Sequence, residues 1–368
     1  MKNGKLGIGF IGCGQIGINK HMPSLAQLSD KCEMIAFCDY NHEAAKRASE
    51  QFGAQGCKVY DDYRQLLDDE DVDVVHVLVP NMLHAPIVCD AFKAGKHVMC
   101  EKPMAATVAD AELMMKAWKA SGKKFTIAYQ NRFRDEVQAL YSAREDLGEI
   151  YFAKAHAIRR RGIPTWGVFT DKKKQGGGPL IDIGTHALDL TLWLMDNWEP
   201  SLVMGQTFCK LGNSLRGLDQ GVENQWNPDT FNVEDSAFGM IRMKNGAVVY
   251  LESSWALNML DVREAATTLC GTKGGAEIKA NGIPGSGDLI LNTTRYGKQL
   301  DIVPYKRPVA NTGGPRHAAS GLAEAKAWID CIINDTDPVV KPEQAFIVTR
   351  ILDAIYESAK TGKAISFE

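Results

Sequence analysis

The residues Gly12-Cys13-Gly14-Gln15-Ile16-Gly17 follow directly on the apolar run Leu6–Ile11, and this junction constrains the chain more than any other feature. In a G-x-G-x-x-G turn between strand and helix, the first glycine permits a tight turn and the second lets backbone N–H groups approach a pyrophosphate. The third lets the helix pack on the strand. Alone, the motif is also compatible with an ordinary glycine-rich turn. Asp39 shifts the balance, because it ends the next candidate strand about 20 residues on, where a carboxylate accepts both ribose hydroxyls. Gly12, Gly14, Gln15, Ile16, Gly17 and Asp39 are therefore expected to hold a dinucleotide. The carboxylate would repel a 2′-phosphate, and Tyr40 and Asn41 supply no compensating cation, so NAD is favoured over NADP. Lys46 and Arg47 lie further along the following helix.

Around this turn, short apolar runs alternate with amphipathic stretches, the pattern of β-α-β units and a parallel sheet. Expected strands are Leu6–Ile11, Met34–Cys38, Val74–Val79, His97–Cys100 and Phe125–Tyr129, with helices at Asn41–Phe52 and Val108–Ala120. After Gly148 the runs lengthen and alternate: Tyr151–Ile158, Ala237–Met243, and Ala247–Ser253 behind an Asn245-Gly246 hairpin turn. Helices are expected at Ile181–Met195, Ser320–Ile333 and Pro342–Ala359. The fold class is α/β: an N-terminal Rossmann-type doubly wound parallel sheet, then an α/β domain with a large open, mostly antiparallel sheet. The expected borders are 1–128 for dinucleotide binding, 129–340 for substrate binding and oligomerisation, and 341–368 for a closing helix. A sheet covered by helices on one face leaves the other needing a partner, so a homo-oligomer is expected.

Composition narrows the class. A net charge of −3 over 368 residues implies no field for polyanions, and the one dense basic run, Lys172-Lys173-Lys174, reads as a solvated loop. Nucleic acid is set aside as a partner. Nine cysteines without a C-x-x-C pair read as reduced thiols, and no metal site is expected. The N-terminus runs into the glycine turn without a signal-peptide h-region, and no apolar run spans a membrane, so a cytoplasmic location is expected.

Two further motifs carry chemistry. Glu101-Lys102-Pro103 follows the strand ending at Cys100, and Gly176-Gly177-Gly178-Pro179 leads into Asp182-Ile183-Gly184-Thr185-His186. Ligands of open parallel sheets bind beyond the carboxyl ends of the strands, where Lys102 stands; its other reading is a loop lysine in solvent. Asp182 and His186 are spaced i,i+4, so on a helix they share a face. The carboxylate could then orient the imidazole and favour its protonated form, as a general base for alcohol oxidation requires. Alternatively, Asp182 complements the helix dipole and His186 is a core histidine. Alcohol oxidation needs a base and a cation for the developing alkoxide; His186 is assigned the first role and Lys102 the second.

These motifs resemble the Gfo/Idh/MocA family of oxidoreductases. The resemblance rests on Gly12–Gly17 followed by His21 and Pro23, on Val79-Pro80-Asn81 with His84, on Ala94-Gly95-Lys96-His97 running into Glu101-Lys102-Pro103, and on Gly178–Asp189. It implies a Rossmann domain and a C-terminal α/β domain, homodimers or homotetramers through the C-terminal sheet, and NAD(P)-dependent oxidation of CH–OH groups in sugars or cyclitols. It implies catalytic roles for Lys102, Asp182 and His186. It also places Pro80, Asn81, His84, Glu101 and Lys102 near the cofactor, and Gln130, Asn131, Arg132 and His186 near substrate. Arg161 and Trp166 lie outside the family motif; an indole face could meet the C–H surface of a sugar and a guanidinium its hydroxyls, although a tryptophan is commonly core. That loop resembles the family's glycoside 3-dehydrogenases, which oxidise the C3 hydroxyl of a glucoside. The alternatives are an inositol dehydrogenase, an NAD-retaining glycosidase working by transient oxidation and elimination, and a non-catalytic NAD-binding regulator. The last has no need of Lys102, Asp182 and His186 together.

Overall fold

A computed structural model describes residues 4–213, 226–280, 287–305 and 318–367. The chain divides into two compact units, Met1–Phe133 with Thr312–Phe346, and Arg134–Asn311 with Ile347–Glu368.

The first unit holds β1 (Leu6–Ile11), β2 (Cys32–Cys38), β3 (Lys58–Tyr60), β4 (Val74–Val77), β5 (His97–Cys100) and β6 (Phe125–Ile127). Their order is β3-β2-β1-β4-β5-β6 and each neighbouring pair is parallel. A parallel sheet is covered on both faces, which is why β1 is apolar throughout, β4 is apolar but for His76, and both are buried at every position. The strand order reverses between β1 and β4, so a ligand crevice opens beyond their carboxyl ends, where Gly12 begins. The helix Val108–Ser121 starts on Thr107, whose hydroxyl accepts from Asp110 N at 3.1 Å, and stops at Gly122 in the left-handed region.

The expected borders by chain order do not describe this unit. The helix Ala318–Ile333, assigned above to 129–340, buries Trp328, Ile329 and Cys331 in the same core as Phe10, Phe37 and Met22, and so belongs to the dinucleotide unit. Burying apolar side chains of this size stabilises by about 1.5–3 kcal/mol each, which ties that segment to the first sheet.

The second unit holds β7 (Ile150–Ile158), β8 (Pro200–Phe208), β9 (Ser236–Met243), β10 (Val248–Ser254), β11 (Ala266–Gly271), β12 (Gly274–Ala280), β13 (Gly287–Arg295), β14 (Lys298–Tyr305) and β15 (Ile365–Ser366). They form one sheet in the order β14-β13-β12-β11-β7-β10-β9-β8-β15. Among these, β7 and β10 pair in parallel and the others antiparallel. The β9–β10 hairpin turns at Asn245-Gly246, with Gly246 at φ 91. The helical stretch Leu180–Met195 packs on β7, β10 and β11, and every residue from Thr185 to Leu194 is buried. It is largely apolar on every side because it is core, with His186 and Asp189 its buried ionisable exceptions.

All nine cysteines are unpaired, with Cys209 exposed. Lys172–Lys174 lie in a short helical turn capped by Asp171, whose side chain accepts from Lys173 N. Among the described residues no helix is long and apolar enough to cross a membrane.

Candidate active site

The three glycines of the first turn do three different things. Gly12 sits at φ +98, and a Cβ there would lie 2.4 Å from the Leu78 carbonyl oxygen, so only glycine fits the turn. A Cβ on Gly14 would meet nothing within 4 Å, which leaves the space above its backbone open to a ligand. A Cβ on Gly17 would stand 3.3 Å from Leu78 Cδ1 and Met22 Cε, the close packing of helix against strand. Gln15 and Ile16 open the helix, and Ile18 N–H donates to Gly14 O at 3.1 Å. Asp39 is aimed at this turn: its Oδ2 accepts from Cys13 N–H at 2.7 Å and its Oδ1 from Asn41 N–H at 2.9 Å. An open cradle at a helix N-terminus beside a fixed carboxylate fits the pyrophosphate and ribose of NAD. Burial, with Asp39 and Cys38 nearby, pushes the Cys13 thiol up to about 12, so it stays neutral inside the loop.

Glu101 and His84 face inward. Glu101 is 6% exposed; its Oε1 accepts from Lys20 Nζ at 2.8 Å and lies 2.9 Å from His21 Nε2, while its Oε2 accepts from Lys102 N–H at 3.1 Å. Burial alone would raise its pKa, but Lys20, His21 and Lys102 hold it well below the usual carboxylate range. His84 is fully buried between two carbonyls, Nε2 to Val79 O and Nδ1 to Pro103 O, both at 2.9 Å. Burial pulls its pKa below the usual histidine value against both carbonyls. Its ring lies between the loop after β4 and the loop after β5, and as a neutral imidazole it donates to one of the two carbonyls. Pro80 and Asn81 are half-buried at the mouth of that first loop. The Lys102–Pro103 peptide is cis and Lys102 is half-buried. Gln130, Asn131 and Arg132 occupy one buried turn after β6. The guanidinium of Arg132 donates to Val339 O at 3.1 Å and Gln344 Oε1 at 2.7 Å, so this arginine holds protein groups.

In the second unit, a buried carboxylate missed in the sequence organises the Asp182 segment. Glu234 accepts from the backbone N–H of Gly178 at 2.9 Å and of Leu180 at 3.1 Å, and from the Tyr356 hydroxyl at 2.8 Å. These bonds cap the helix start, where free N–H groups and the dipole favour an anion. The glycines before it are required by close approach: a Cβ on Gly177 would stand 2.0 Å from Tyr356 Oη, and one on Gly178 would stand 2.1 Å from Glu234 O. Burial raises the Glu234 pKa despite those donors.

The helix opens with a wider π turn over Leu180–Gly184 before the α-helix Thr185–Met195. Asp182 lies in the first and His186, 9% exposed, in the second. Trp255, fully buried just beyond β10, donates its indole N–H to Asp182 Oδ2 at 3.0 Å. The carboxylate thus has a fixed orientation from a residue 73 positions away, which no local pattern could reveal.

The loops that leave β7 and β10 are tied together. Gly162 N–H donates to Trp255 O at 2.8 Å, and Arg161 donates to Asn258 Oδ1 at 2.6 Å. Trp166 is 60% exposed and packs edge-on to Phe169; the core alternative for this tryptophan does not hold. Among the described residues no cluster of three or more His, Cys, Asp or Glu side chains could hold a metal ion.

Comparison with known proteins is consistent along the chain. The family model described as "Oxidoreductase family, NAD-binding Rossmann fold" matches residues 6–129, and its companion, "Oxidoreductase family, C-terminal alpha/beta domain", matches residues 143–367. A D-glucoside 3-dehydrogenase of Escherichia coli is 34% identical over 99% of this chain and 98% of the relative. An inositol 2-dehydrogenase of Acidothermus cellulolyticus is 26% identical over 98% and 94%. The crystal structure of an aldose-aldose oxidoreductase from Caulobacter crescentus, complexed with glycerol, superposes with a TM-score of 0.77 at 25% identity, covering 99% of this chain and 100% of that one. With its NAD cradle and two matched domains, the chain belongs to the Gfo/Idh/MocA family and is an NAD-dependent oxidoreductase.

Proposed function

We propose that the protein oxidises a secondary hydroxyl of a sugar or glycoside to a ketone, and that the C3 hydroxyl of a glucoside is its target. The observation that carries this reading is the end-to-end match, 34% identical, to a protein named D-glucoside 3-dehydrogenase. The exposed Trp166, on the same loop after β7 as Arg161, supports it, because an aromatic face and a guanidinium suit the C–H surface and hydroxyls of a sugar. NAD, when bound, accepts the hydride. Gly14 would leave room for its pyrophosphate, and Asp39, fixed by the Cys13 N–H, would hold its ribose.

In this reading His186 takes the hydroxyl proton, Asp182 favours the protonated ring while Trp255 holds its carboxylate, and Lys102 stabilises the alkoxide. A cyclitol is the second reading, favoured by the inositol 2-dehydrogenase that matches over 98% of the chain. The test is to incubate the protein with NAD and a panel of glucosides, free hexoses and inositols while following NADH absorbance. Glucosides are expected to be turned over fastest; fastest turnover of an inositol would replace the first reading by the second. His186→Ala and Lys102→Ala should each lose at least ~100-fold in kcat while still binding NAD, and wild-type turnover by either removes that residue from the mechanism.

A further inference from the structure

The first unit buries a set of ionisable side chains that the mechanism above does not use. Lys20, 2% exposed, reaches Glu101 Oε1 at 2.8 Å and Glu324 Oε2 at 3.0 Å. Glu324 arrives on the helix Ala318–Ile333, which comes close at Gly321, where a Cβ would stand 3.1 Å from Lys20 Cγ. His21 Nε2 meets the same Glu101 oxygen, and His76 Nδ1 lies 3.2 Å from His21 Nδ1. Burial holds both rings neutral, His21 down to about 4.

The tautomers then follow. A carboxylate only accepts, so His21 donates from Nε2 and presents a lone pair at Nδ1, to which His76 donates from Nδ1. This leaves His76 Nε2 a bare lone pair, fully buried and without a partner among the described residues. The chain therefore ends in the core and carries no proton to solvent. A buried ion pair is weak evidence for stability, because desolvating the charges offsets their attraction. What remains for the cluster is position.

We propose that Lys20, backed by Glu324, is a positioning residue: it fixes the Glu101 carboxylate so that Oε2 stays on the Lys102 backbone N–H and sets where that lysine stands. On the other side of Lys102, the buried His84 ring packs against the Pro103 carbonyl, with Nδ1 2.9 Å from its oxygen, so the loop has a packed neighbour before and after the lysine. The inference rests on the proposed role of Lys102. Glu101 is faced by Lys20 and His21 from the turn after Gly17, by His76 of β4 through His21, by Lys102 of its own loop, and by Glu324 through Lys20.

The test is Lys20→Met, assayed for kcat across pH on the best panel substrate, with thermal unfolding alongside. The expected result is a loss of at least ~10-fold in kcat and an acid limb moved up by about one pH unit or more, because Glu101 loses the cation that keeps it ionised. Loss of amplitude alike at every pH, with the limb unmoved, would mean a merely structural role and overturn the proposal. If Lys20→Met does not fold, the isosteric Glu101→Gln takes its place, and wild-type kcat there overturns it. Lys102→Ala run in parallel separates the two claims: turnover by Lys102→Ala defeats the functional reading, whereas a dead Lys102→Ala beside an unaltered Lys20→Met defeats the brace alone. Should no panel compound react, a crystal structure of NAD-loaded Lys20→Met decides: Glu101 Oε2 leaving Lys102 N supports the brace, and an unchanged contact overturns it.

Discussion

Replacing Gly178 by alanine tests whether the glycine run before Asp182 serves packing. The new methyl would stand 2.1 Å from the Glu234 carbonyl oxygen, about 1 Å inside the closest approach such atoms make. The strain cannot be relieved by a flexible side-chain end, because the obstacle is backbone. Forcing an extra methyl into a packed site costs about 1–3 kcal/mol. Moving Gly178 also pulls its N–H from the Glu234 carboxylate, now 2.9 Å from both oxygens, and a hydrogen bond to a charged acceptor contributes about 1.5–3 kcal/mol. The expected destabilisation is therefore roughly 3–6 kcal/mol, and at about 2–4 °C per kcal/mol for a unit of this size the thermal midpoint should fall by about 10 °C. Thermal unfolding followed by circular dichroism reads it directly. A loss below about 1 kcal/mol would refute the argument that Glu234 caps this helix at a distance only glycine allows.

The same substitution at Gly14 should behave oppositely: with nothing within 4 Å of the added methyl, the apo protein should keep its midpoint within about 1 °C, while NADH affinity, read by fluorescence titration, falls at least ~10-fold as the cradle fills. Trp255→Phe removes the donor to Asp182 and should lower kcat/KM at least ~10-fold, the equivalent of about 1.4 kcal/mol; wild-type steady-state kinetics would show that Asp182 needs no such fixing. Burial raises Glu324 to about 7, from the ordinary 4.5 of a solvated glutamate, over the opposing pull of Lys20. Because the folded pKa is the higher one, this group's contribution is fully present below about pH 4.5 and is lost as pH rises through about 7. Urea unfolding of wild type against Glu324→Gln should therefore show the variant gaining relative stability across that window, and parallel curves would contradict it.

The dinucleotide half was legible because its signals are local. β1 and β5 fall where apolar runs placed them, and Gly12, Gly14 and Gly17 each meet the constraint read from their spacing. β3 was not seen: it has three residues, none of them buried, and leaves no apolar run. The i,i+4 spacing placed Asp182 and His186 on one helical stretch, but the group that holds Asp182 was invisible, since Trp255 reads in isolation as one more core aromatic. Trp166 went the other way, as a tryptophan that the fold leaves exposed.

What the chain's order of residues determined was whatever depends on a few neighbours: strand and helix periods, the glycine turn after β1, and the carboxylate at the end of β2. Only tertiary structure decided which distant groups meet. Glu234 reaches Gly178 across 56 residues, Tyr356 reaches Glu234 across 122, and the helix Ala318–Ile333 returns to the first unit to set Glu324 on Lys20. The physical reason is that backbone preferences are set within a turn or two, whereas buried charges are tolerated only where folding brings them partners, and those partners can come from anywhere along the chain.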